Sequence, residues 1–540
     1  MAPPSPIEVR PHPTKGRGLY ATKTFSPGET IQAFAPLILV ASVEHTECVC
    51  SYCLKKRAGP DDLRACSLCH HAYYCNTTCQ AAAWSAVHSK ECKPLQTTPP
   101  DHPELPTPVR AVIQALVKKK IGKALETLEG SIADFEYKSE DWKNQQMMGC
   151  AAVKFAGLTV DLEAVNKAVE YLCKIQVNAF QRWDFELGHA AIFLEPTLAM
   201  ANHSCLPNAN VEFVGRKAVL QAETEIRTGD EIEISYTDYT YPLPVRQQAL
   251  KPYHFTCKCR RCEQDLSIYQ ACALSPNIEL NRASLVLDMT KLKTHAAATN
   301  AKKAALANEH SGNTAEIVAD RCELPPDTVK ENRKMLEKQW QTCKGLVSEG
   351  WWAVTPLYQV LSDIALHYVR EQRYISALLV TCLVATDADP YRYVAPFHPQ
   401  RSAKIFLIAK LLALTASEAH IPGDSAEKWT NGPTDGVAAQ ALDTLKGVDQ
   451  TSLCQMLLLM VLQNAPAGYV DEWGLALEAK AILNDIDQLQ GRERELSLIN
   501  AWNKDPRSDQ SHAFFRYAVV QQVDTLAKLG PKILALDFGQ

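Results

Sequence analysis

Cysteine spacing constrains this chain more than any other feature of its sequence. Between positions 50 and 92, seven cysteines and one of the three histidines follow the order C-x2-C, x12, C-x2-C, x5, C-x3-C, x8, H-x3-C. These residues are Cys50, Cys53, Cys66, Cys69, Cys75, Cys79, His88 and Cys92. Gaps of two or three residues let both members of a pair reach one ion at about 2.3 Å, so the four pairs can supply two closed tetrahedral zinc sites. So short a segment cannot build an adequate apolar core, and we expect metal binding to supply its folding free energy.

A second group of thiols lies further along the chain. The C-x-C-x2-C motif at Cys257, Cys259 and Cys262 offers three thiolates, one short of a closed site. Cys205, at the end of the sequence Asn202-His203-Ser204-Cys205, is the natural fourth ligand. We therefore predict a third zinc ion that fastens the segment near residue 260 onto the turn at 202–205.

Composition bounds the class of protein and its compartment. The chain has 540 residues and a net charge of −5, which predicts two to four domains and no strong nucleic-acid binding. The first residues lack the apolar core of a signal peptide, and no apolar run approaches the ~20 residues that span a bilayer, so we expect no membrane association. The lack of a signal peptide favours a reducing compartment, the nucleus and/or the cytoplasm. Among the nineteen cysteines, clustered thiols in such a compartment indicate metal binding. The eight cysteines outside both groups are expected to be small buried apolar side chains: Cys48, Cys150, Cys173, Cys272, Cys322, Cys343, Cys382 and Cys454.

Apolar periodicity and turn residues predict the secondary structure of the first half. Residues 1–49 show strands separated by tight turns, and six prolines within 94–108 indicate a stiff linker. Residues 109–190 are predicted to be mainly helical, whereas 210–236 return to strands. A hairpin is predicted around Gly215-Arg216, and apolar and polar residues alternate over 232–236, which predicts a half-buried strand there.

The chain beyond about residue 270 has a helical pattern. One apolar stripe is formed by Leu357, Val360, Leu361, Ile364 and Tyr368, and a second by Ile375, Leu378, Leu379, Cys382 and Leu383. The short polar break between these stripes predicts a helical hairpin. Residues 294–335 are polar and predict a loop or a mobile helix, and we find no fixed-period repeat.

The first cysteine group resembles a MYND zinc finger. The residues that carry the resemblance are Tyr73-Tyr74-Cys75, Cys79-Gln80, Trp84, His88 and Glu91-Cys92. The resemblance implies interleaved pairing, which spacing alone does not give. One ion would be held by Cys50, Cys53, Cys75 and Cys79, and the other by Cys66, Cys69, His88 and Cys92. It also implies a proline-rich peptide as a partner at the finger.

Three further motifs together resemble the SET domain of protein lysine methyltransferases with a post-SET zinc site. They are Asn202-His203-Ser204-Cys205, Gly229-Asp230-Glu231 before a strand that ends at Tyr236, and the three late thiols. Because the finger is inserted near the start, residues 8–270 resemble the SET-and-MYND (SMYD-type) subfamily. Tyr391 and His398-Pro399-Gln400-Arg401 resemble its tetratricopeptide-like C-terminal domain.

This resemblance implies a multidomain α+β fold. The β-rich SET core would carry the inserted MYND finger and the post-SET zinc site, followed by an all-α tetratricopeptide-like domain. The implied boundaries are 1–49 for the N-terminal part of the SET domain, 50–92 for the finger, 93–190 for a linker and helical insertion, 191–250 for the SET core, 251–268 for the post-SET motif and 269–540 for the helical domain.

The resemblance also implies the roles of individual residues. Lys15 and Arg17 match positions that contact S-adenosylmethionine, where a cation suits the carboxylate. Asn202 and His203 match residues that meet its methionine and adenine parts. Phe255 matches an aromatic ring that stacks on the adenine, with Tyr253 beside it. The catalytic hydroxyl would be that of Tyr236, and the substrate lysine channel would be lined by Phe180, Tyr236 and Tyr239.

The function implied is a protein-lysine N-methyltransferase that uses S-adenosylmethionine, holds three structural zinc ions and modifies a histone or another protein. Two alternatives stay open at this point. One is a MYND-based transcriptional adaptor or scaffold with little or no methyltransferase activity. The other is a small-molecule methyltransferase, although the Gly-rich first turn of its usual doubly wound sheet is not visible in the sequence.

Overall fold

The computed structural model describes residues 5–57, 59, 62–96, 105–130, 132–135, 139–184, 187–278, 284–313, 329–418 and 435–539. The strands are β1 Ile7–His12, β2 Gly16–Ala21, β3 Thr30–Phe34, β4 Ile38–Ala41, β5 Arg64–Ala65, β6 Tyr73–Tyr74, β7 Phe180–Asp184, β8 Gly188–Leu194, β9 Asn202–His203, β10 Ala209–Val214, β11 Lys217–Ala222 and β12 Glu233–Ile234. They form small sheets in the orders β1-β2, β10-β11-β3, β12-β9, β4-β8-β7 and β5-β6. All lie within the first half of the chain, apart from any contribution of residues outside the described ranges.

Glycine turns produce the hairpins of this region. Gly16 adopts a φ of 77° between β1 and β2, and Gly215 a φ of 53° between β10 and β11. Such positive φ values cost glycine little because it has no Cβ. The predicted hairpin at 215–216 is therefore present, with Val214 opposite Lys217. The predicted strand over 232–236 is shorter than expected: only β12 forms a ladder, parallel to β9, while the amide of Ile232 donates a single hydrogen bond to the carbonyl of Leu19 on β2.

Helices form most of the remaining regular structure of the described residues. Those before residue 275 are α1 Thr77–Ala83, α2 Ser89–Leu95, α3 Thr107–Val117, α4 Lys119–Leu125, α5 Glu140–Phe155, α6 Leu162–Asn178, α7 Leu243–Leu250, α8 Arg260–Glu263 and α9 Ile268–Leu274. Those after it are α10 Met289–Lys293, α11 Ala296–Thr299, α12 Ala301–Asn313, α13 Val329–Thr342, α14 Lys344–Glu349, α15 Leu357–Arg370, α16 Tyr374–Asp387, α17 Asp389–Arg392, α18 Pro399–Glu418, α19 Asp435–Lys446, α20 Gln450–Gln463, α21 Gly474–Asp487, α22 Glu493–Lys504, α23 Asp509–Phe515, α24 Gln521–Ala527 and α25 Gly530–Phe538. Among the described helices, none is long and apolar enough to cross a membrane.

The predicted helical hairpin is formed by α15 and α16, but α16 is buried more completely than its stripe implies. Every residue from Ser376 to Thr386 is buried, because α15, α18, α24 and α25 all pack around this helix. The start of α25 comes so close that a Cβ on Gly530 would lie 2.9 Å from Cβ of Leu383. An amphipathic pattern shows which face is buried first, whereas neighbours distant in sequence decide whether the other faces are covered.

Three other expectations need correction or fall outside the described residues. Much of the polar stretch 294–335 is helical, in α11, α12 and α13, while 314–328 lie outside the described residues. The proline-rich stretch is only partly a linker, because Pro94 lies within α2 and Pro106 and Pro108 lie at the start of α3; residues 97–104 are outside the described ranges. Cys48 and Cys150 are exposed rather than buried, and Cys322 is not among the described residues.

The helical region contacts the β10–β11 hairpin directly. Nε1 of Trp473 donates a hydrogen bond of 2.7 Å to Oε1 of Glu212 on β10. Nζ of Lys217 lies 3.3 Å from a carboxylate oxygen of Glu472. Burial at this contact raises the pKa of Glu212 to about 7, although the Trp473 hydrogen bond and the charge of Arg182 act in the opposite direction.

This contact predicts a pH dependence of stability. An unfolded glutamate ionises near pH 4.5, whereas Glu212 in the folded protein keeps its proton up to about pH 7. Its contribution is therefore fully present below pH 4.5 and is lost as the pH rises through about 7. We expect the loss to be on the order of 1 kcal/mol after solvent screening. Denaturant midpoints of the wild type and of Glu212→Gln, measured between pH 5 and pH 8, test this prediction. The stability of Glu212→Gln relative to the wild type should rise with pH. Parallel curves of stability against pH would contradict the prediction.

Candidate functional site

The structure brings the twelve predicted metal ligands together in three groups of four. The groups are Cys50, Cys53, Cys75 and Cys79; Cys66, Cys69, His88 and Cys92; and Cys205, Cys257, Cys259 and Cys262. Within each group all ligand atoms lie within 4.8 Å of one another. The first two groups have the interleaved pairing that the MYND resemblance implies.

Ligand separations fit tetrahedral zinc. Ligands at about 2.3 Å from a tetrahedral ion lie about 3.8 Å from one another. The sulfur atoms of Cys53 and Cys75 are 3.6 Å apart, those of Cys66 and Cys92 3.9 Å, and those of Cys262 and Cys205 3.6 Å. These distances are far longer than the roughly 2.05 Å of a disulfide. The donor sets, four thiolates twice and three thiolates with one imidazole once, are those of structural zinc sites, and each group is complete without a solvent ligand.

Local backbone geometry places the finger ligands. Leu54 and His70 each follow the second cysteine of a C-x2-C pair and adopt φ near 58°, which ends the turn that carries both thiols. Asn76 caps α1 by accepting a hydrogen bond of 2.8 Å from the backbone of Cys79. The ligands of the first ion therefore come from a turn, from the residue that follows β6 and from the first turn of α1.

A buried polar network supports His88. Its Nε2 lies 3.7 Å from the sulfur of Cys69, while its Nδ1 lies 3.8 Å from Oε2 of Glu91. Glu91 is in turn 3.7 Å from Nη2 of Arg110 on α3. A carboxylate behind a ligating histidine fixes the orientation of the ring. The finger is thereby joined to the helices that follow it.

The third group joins two distant parts of the chain. Cys205 follows β9, whereas Cys259 and Cys262 belong to the turn that starts α8, where the amide of Cys262 donates to the carbonyl of Cys259 at 2.9 Å. Cys205 is completely buried. An ion held here would fix the segment 253–262 against the turn at 202–205.

Tyr236 lies beside this segment. Its hydroxyl donates to the carbonyl of Ala201 at 2.8 Å, and its amide donates to Nδ1 of His203 at 3.0 Å. The ring of Tyr253 lies 4.8 Å from that of Tyr236, and Phe255 lies 6.4 Å away in an edge-on arrangement. Burial raises the pKa of Tyr236 well above its ordinary value, so at neutral pH the hydroxyl keeps its proton and acts as a hydrogen-bond donor.

His203 is neutral and lies between Tyr236 and Cys205, with one ring nitrogen near each of them. Burial lowers its pKa to about 4. Because Nδ1 accepts the amide of Tyr236, the ring proton sits on Nε2, which lies 3.2 Å from the sulfur of Cys205. The imidazole thus fixes the start of the segment after β12 relative to the metal ligands.

One cavity of about 1000 Å³ opens next to Tyr236. Every residue predicted to contact the cofactor lines it: Lys15, Arg17, Asn202, His203, Tyr253 and Phe255. Two of them come from the first turn of the chain, two from β9 and two from the segment before the late thiols. The cavity therefore combines cations, an amide and aromatic rings at one place, although these residues are far apart in sequence.

The polar end of the cavity is densely paired. Nδ2 of Asn202 donates to the carbonyl of Arg17 at 2.8 Å and to Oε1 of Glu231 at 2.7 Å. A Cβ on Gly18 would lie 2.9 Å from that Glu231 oxygen, so a larger residue there would push the carboxylate away from Asn202. Nζ of Lys15 lies 3.1 Å from Glu231 and 2.7 Å from Glu233. Burial lowers the pKa of Lys15, but these carboxylates outweigh it and leave that pKa raised.

Arg17 reaches a different element. Its Nη2 donates to the carbonyl of Thr127 at 2.8 Å and lies 3.1 Å from the carboxylate of Glu129, both after α4. Both cations line the cavity and each has a carboxylate partner, and their contact with a cofactor stays a prediction.

Phe180 and Tyr239 are not among the described residues that line this cavity. Phe180 opens β7 opposite Phe193 and packs on the core of the strands. Tyr239 faces a separate cavity of about 160 Å³ next to the helical region, and its ring lies 6.0 Å from that of Tyr393. Their place in a lysine channel stays a prediction.

Sequence reasoning missed the acidic partners of the site and the buried arginines around it. Glu231 and Glu233 alternate on either side of Ile232, so their shared face could have been found from the period of the strand. Arg246, Arg261 and Arg392 carry no comparable signal, because an isolated arginine in a polar stretch reads as a solvated charge. All three are buried.

Residues 16–237 match the model of the SET domain. The chain is 31% identical over 271 residues to N-lysine methyltransferase SMYD2-B of Xenopus laevis, covering 48% of this chain and 62% of the relative. It is 31% identical over 258 residues to human N-lysine methyltransferase SMYD2, covering 46% and 58%. It is 31% identical over 261 residues to Histone-lysine N-methyltransferase ASHR1 of Arabidopsis thaliana, covering 46% and 53%.

The chain thus spans less than two thirds of the length of these curated relatives. Among solved structures, the SET domain of LSMT bound to lysine and AdoHcy aligns over 93% of this chain at 12% identity, with a TM-score of 0.23. A TM-score this low establishes no shared overall fold.

Proposed function

We propose that the chain is an SMYD-type SET-domain protein and a protein-lysine N-methyltransferase that uses S-adenosylmethionine, because residues 16–237 match the SET-domain model and two SMYD2 relatives are 31% identical over 46–48% of the chain. The observation that carries the proposal is the single cavity in which Tyr236 meets all six residues predicted to hold the cofactor. The named activities of the SMYD2 and ASHR1 relatives support it.

The residues of the cavity fit the cofactor chemically. Lys15 and Arg17 would face its carboxylate, Asn202 and the backbone of His203 its polar groups, and Phe255 its adenine. Phe255 is 39% exposed, which leaves a ring face for stacking. When bound, S-adenosylmethionine supplies a methyl group on a positively charged sulfur.

The protein's part in the reaction is alignment and the exclusion of water. The hydroxyl of Tyr236 stays protonated and is held in place by the carbonyl of Ala201, so it can orient a reacting amine but cannot serve as its base. The ring of Tyr253 covers Tyr236 and lets the site tolerate positive charge. We propose Phe180 and Tyr239 as more distant walls of the substrate channel.

The activity can be tested with the full chain and isotopically labelled cofactor. Histones and cytosolic extracts are suitable first acceptors, because ASHR1 is named a histone-lysine enzyme. We expect labelled lysine in acceptor proteins and cofactor binding by calorimetry. Absence of both would overturn the proposal.

Removal of the Lys15 charge should weaken cofactor binding about 10- to 100-fold, since a hydrogen bond to a charged group contributes roughly 1.5–3 kcal/mol. The measurement is the calorimetric Kd of Lys15→Met. The matched control is Lys23→Met, because Lys23 lies on the surface and pairs with Glu29. An unchanged Kd for Lys15→Met would exclude this lysine from the cofactor site.

We further propose the domain boundaries given above, a tetratricopeptide-like arrangement of the helical region, and a location in the nucleus and/or cytoplasm. We also propose a proline-rich peptide as a partner of the finger, supported by the interleaved metal groups that it shares with MYND modules. Titration of a labelled oligoproline peptide against the full chain, with and without chelation of the finger, tests the last point.

A further inference from the structure

Two buried arginines separate the third thiol group from the chain that follows Tyr236. Arg246 on α7 and Arg261 on α8 are each 1% exposed. Nη2 of Arg246 lies 3.6 Å from the sulfur of Cys262, and Nη1 donates to the carbonyl of Tyr241. Nη1 of Arg261 donates to the carbonyl of Tyr239. Both guanidiniums therefore contact the segment 237–241, Arg246 also contacts a metal ligand directly, and the charges of Cys205 and Cys262 act on Arg261.

Buried guanidiniums require a compensating negative charge, because an unpaired buried charge is strongly destabilising. Among the described residues, no carboxylate lies within ion-pair distance of Arg246 or Arg261, and the one carboxylate whose charge acts on Arg261 from further away, that of Asp238, also lies near Arg392. Arg392 differs, since it also contacts this segment but lies 3.8 Å from the carboxylate of Asp238. The compensating charge of the arginine pair must therefore come from another source.

The thiolates supply that charge. Four thiolates around one Zn²⁺ leave two net negative charges, and two guanidiniums bring two positive charges. The four-cysteine group and the arginine pair are thus neutral together. With the thiols protonated and no ion present, the same pair would be two buried cations without a counterion.

We infer that Arg246 and Arg261 are positioning residues of the third zinc site. They neutralise its thiolates and couple occupancy of the site to the segment 237–241. This role is independent of methyl transfer, since it depends only on burial, charge and the two carbonyl contacts. It explains why two fully buried cations occupy a region where, among the described residues, no carboxylate lies within ion-pair distance of either of them.

The test uses the full-length protein and a pulse of N-ethylmaleimide read by mass spectrometry. Arg246→Met removes the charge at similar length and should raise the alkylation rate of the four third-group thiols about 10- to 100-fold, the usual range for lost outer-shell contacts to a metal site. Arg246→Lys keeps the charge and should restore most of the protection. The thiols of the finger report on global folding and should be unchanged.

Lys251→Met is the matched control, because Lys251 is exposed and lies just after α7. If the third-group thiols are alkylated at equal rates in Arg246→Met and Arg246→Lys, the charge argument is overturned. If Arg246→Met exposes the finger thiols as well, that variant has unfolded and Arg246→Lys decides. If the third-group thiols of Arg246→Lys are alkylated at the wild-type rate, the inference is supported. A raised alkylation rate in Arg246→Lys overturns the inference.

Hydrogen exchange tests the coupling. Removal of the third ion from the wild type should speed amide exchange across 237–241, while β10 and β11 keep their protection. Unchanged exchange in that segment would show that the arginines do not transmit the state of the metal site.

Discussion

Replacing Tyr236 by phenylalanine should lower the rate of methyl transfer about 10²- to 10³-fold, the usual effect of removing one positioned hydrogen-bonding group from a reacting centre. The change removes a single oxygen. The ring would remain packed against Tyr253 at 4.8 Å, and the backbone contact to His203 does not depend on the hydroxyl. Cofactor affinity should therefore change little.

Single-turnover rates with labelled cofactor measure the effect, and calorimetry measures cofactor binding in the same preparation. Tyr517→Phe is the matched control, because Tyr517 is 66% exposed and lies far along the helical region. A full rate in Tyr236→Phe would show that alignment at this site does not require the hydroxyl. Loss of cofactor binding would instead assign the tyrosine a structural role.

The metal ligands were predictable because their geometry is local. A C-x2-C turn places two thiols at one ion whatever the rest of the fold does, as the turns ending at Leu54 and His70 illustrate. The choice of partner pairs is not local, and in the finger it came from the resemblance. The hairpin at Gly215 was predictable for the same reason as the turns.

Contacts between distant elements were not predictable. Lys15 and Glu231 are 216 positions apart, and nothing in either neighbourhood indicates that they meet. Tyr239 is only three residues from Tyr236, yet it faces a different cavity because the chain turns after β12. Side-chain direction in an irregular segment depends on tertiary contacts, here the buried guanidinium of Arg261 on the Tyr239 carbonyl.

Replacing Cys205 by serine should reduce the zinc content from three ions to two and weaken cofactor binding by at least about 100-fold, since structural zinc contributes its binding energy directly to local folding. Cys205 is the only member of the third group outside the segment 257–262. Without it, that segment loses its metal-mediated link to the turn at 202–205. Phe255 and Tyr253, which line the cofactor cavity, would lose their fixed position.

Elemental analysis and calorimetry on the same sample measure both effects, with the exposed Cys150→Ser as the control. Zinc content reports on metal binding at the third group, and cofactor affinity reports on the position of Tyr253 and Phe255. Two ions with normal cofactor affinity would mean that packing of Phe255 on His203, at 5.9 Å, holds the segment without metal. Three ions with normal affinity would mean that Cys205 is not a ligand, and the link between the late thiols and the Tyr236 cavity would fail. Because Cys205 is fully buried and 3.6 Å from the sulfur of Cys262, we expect neither result.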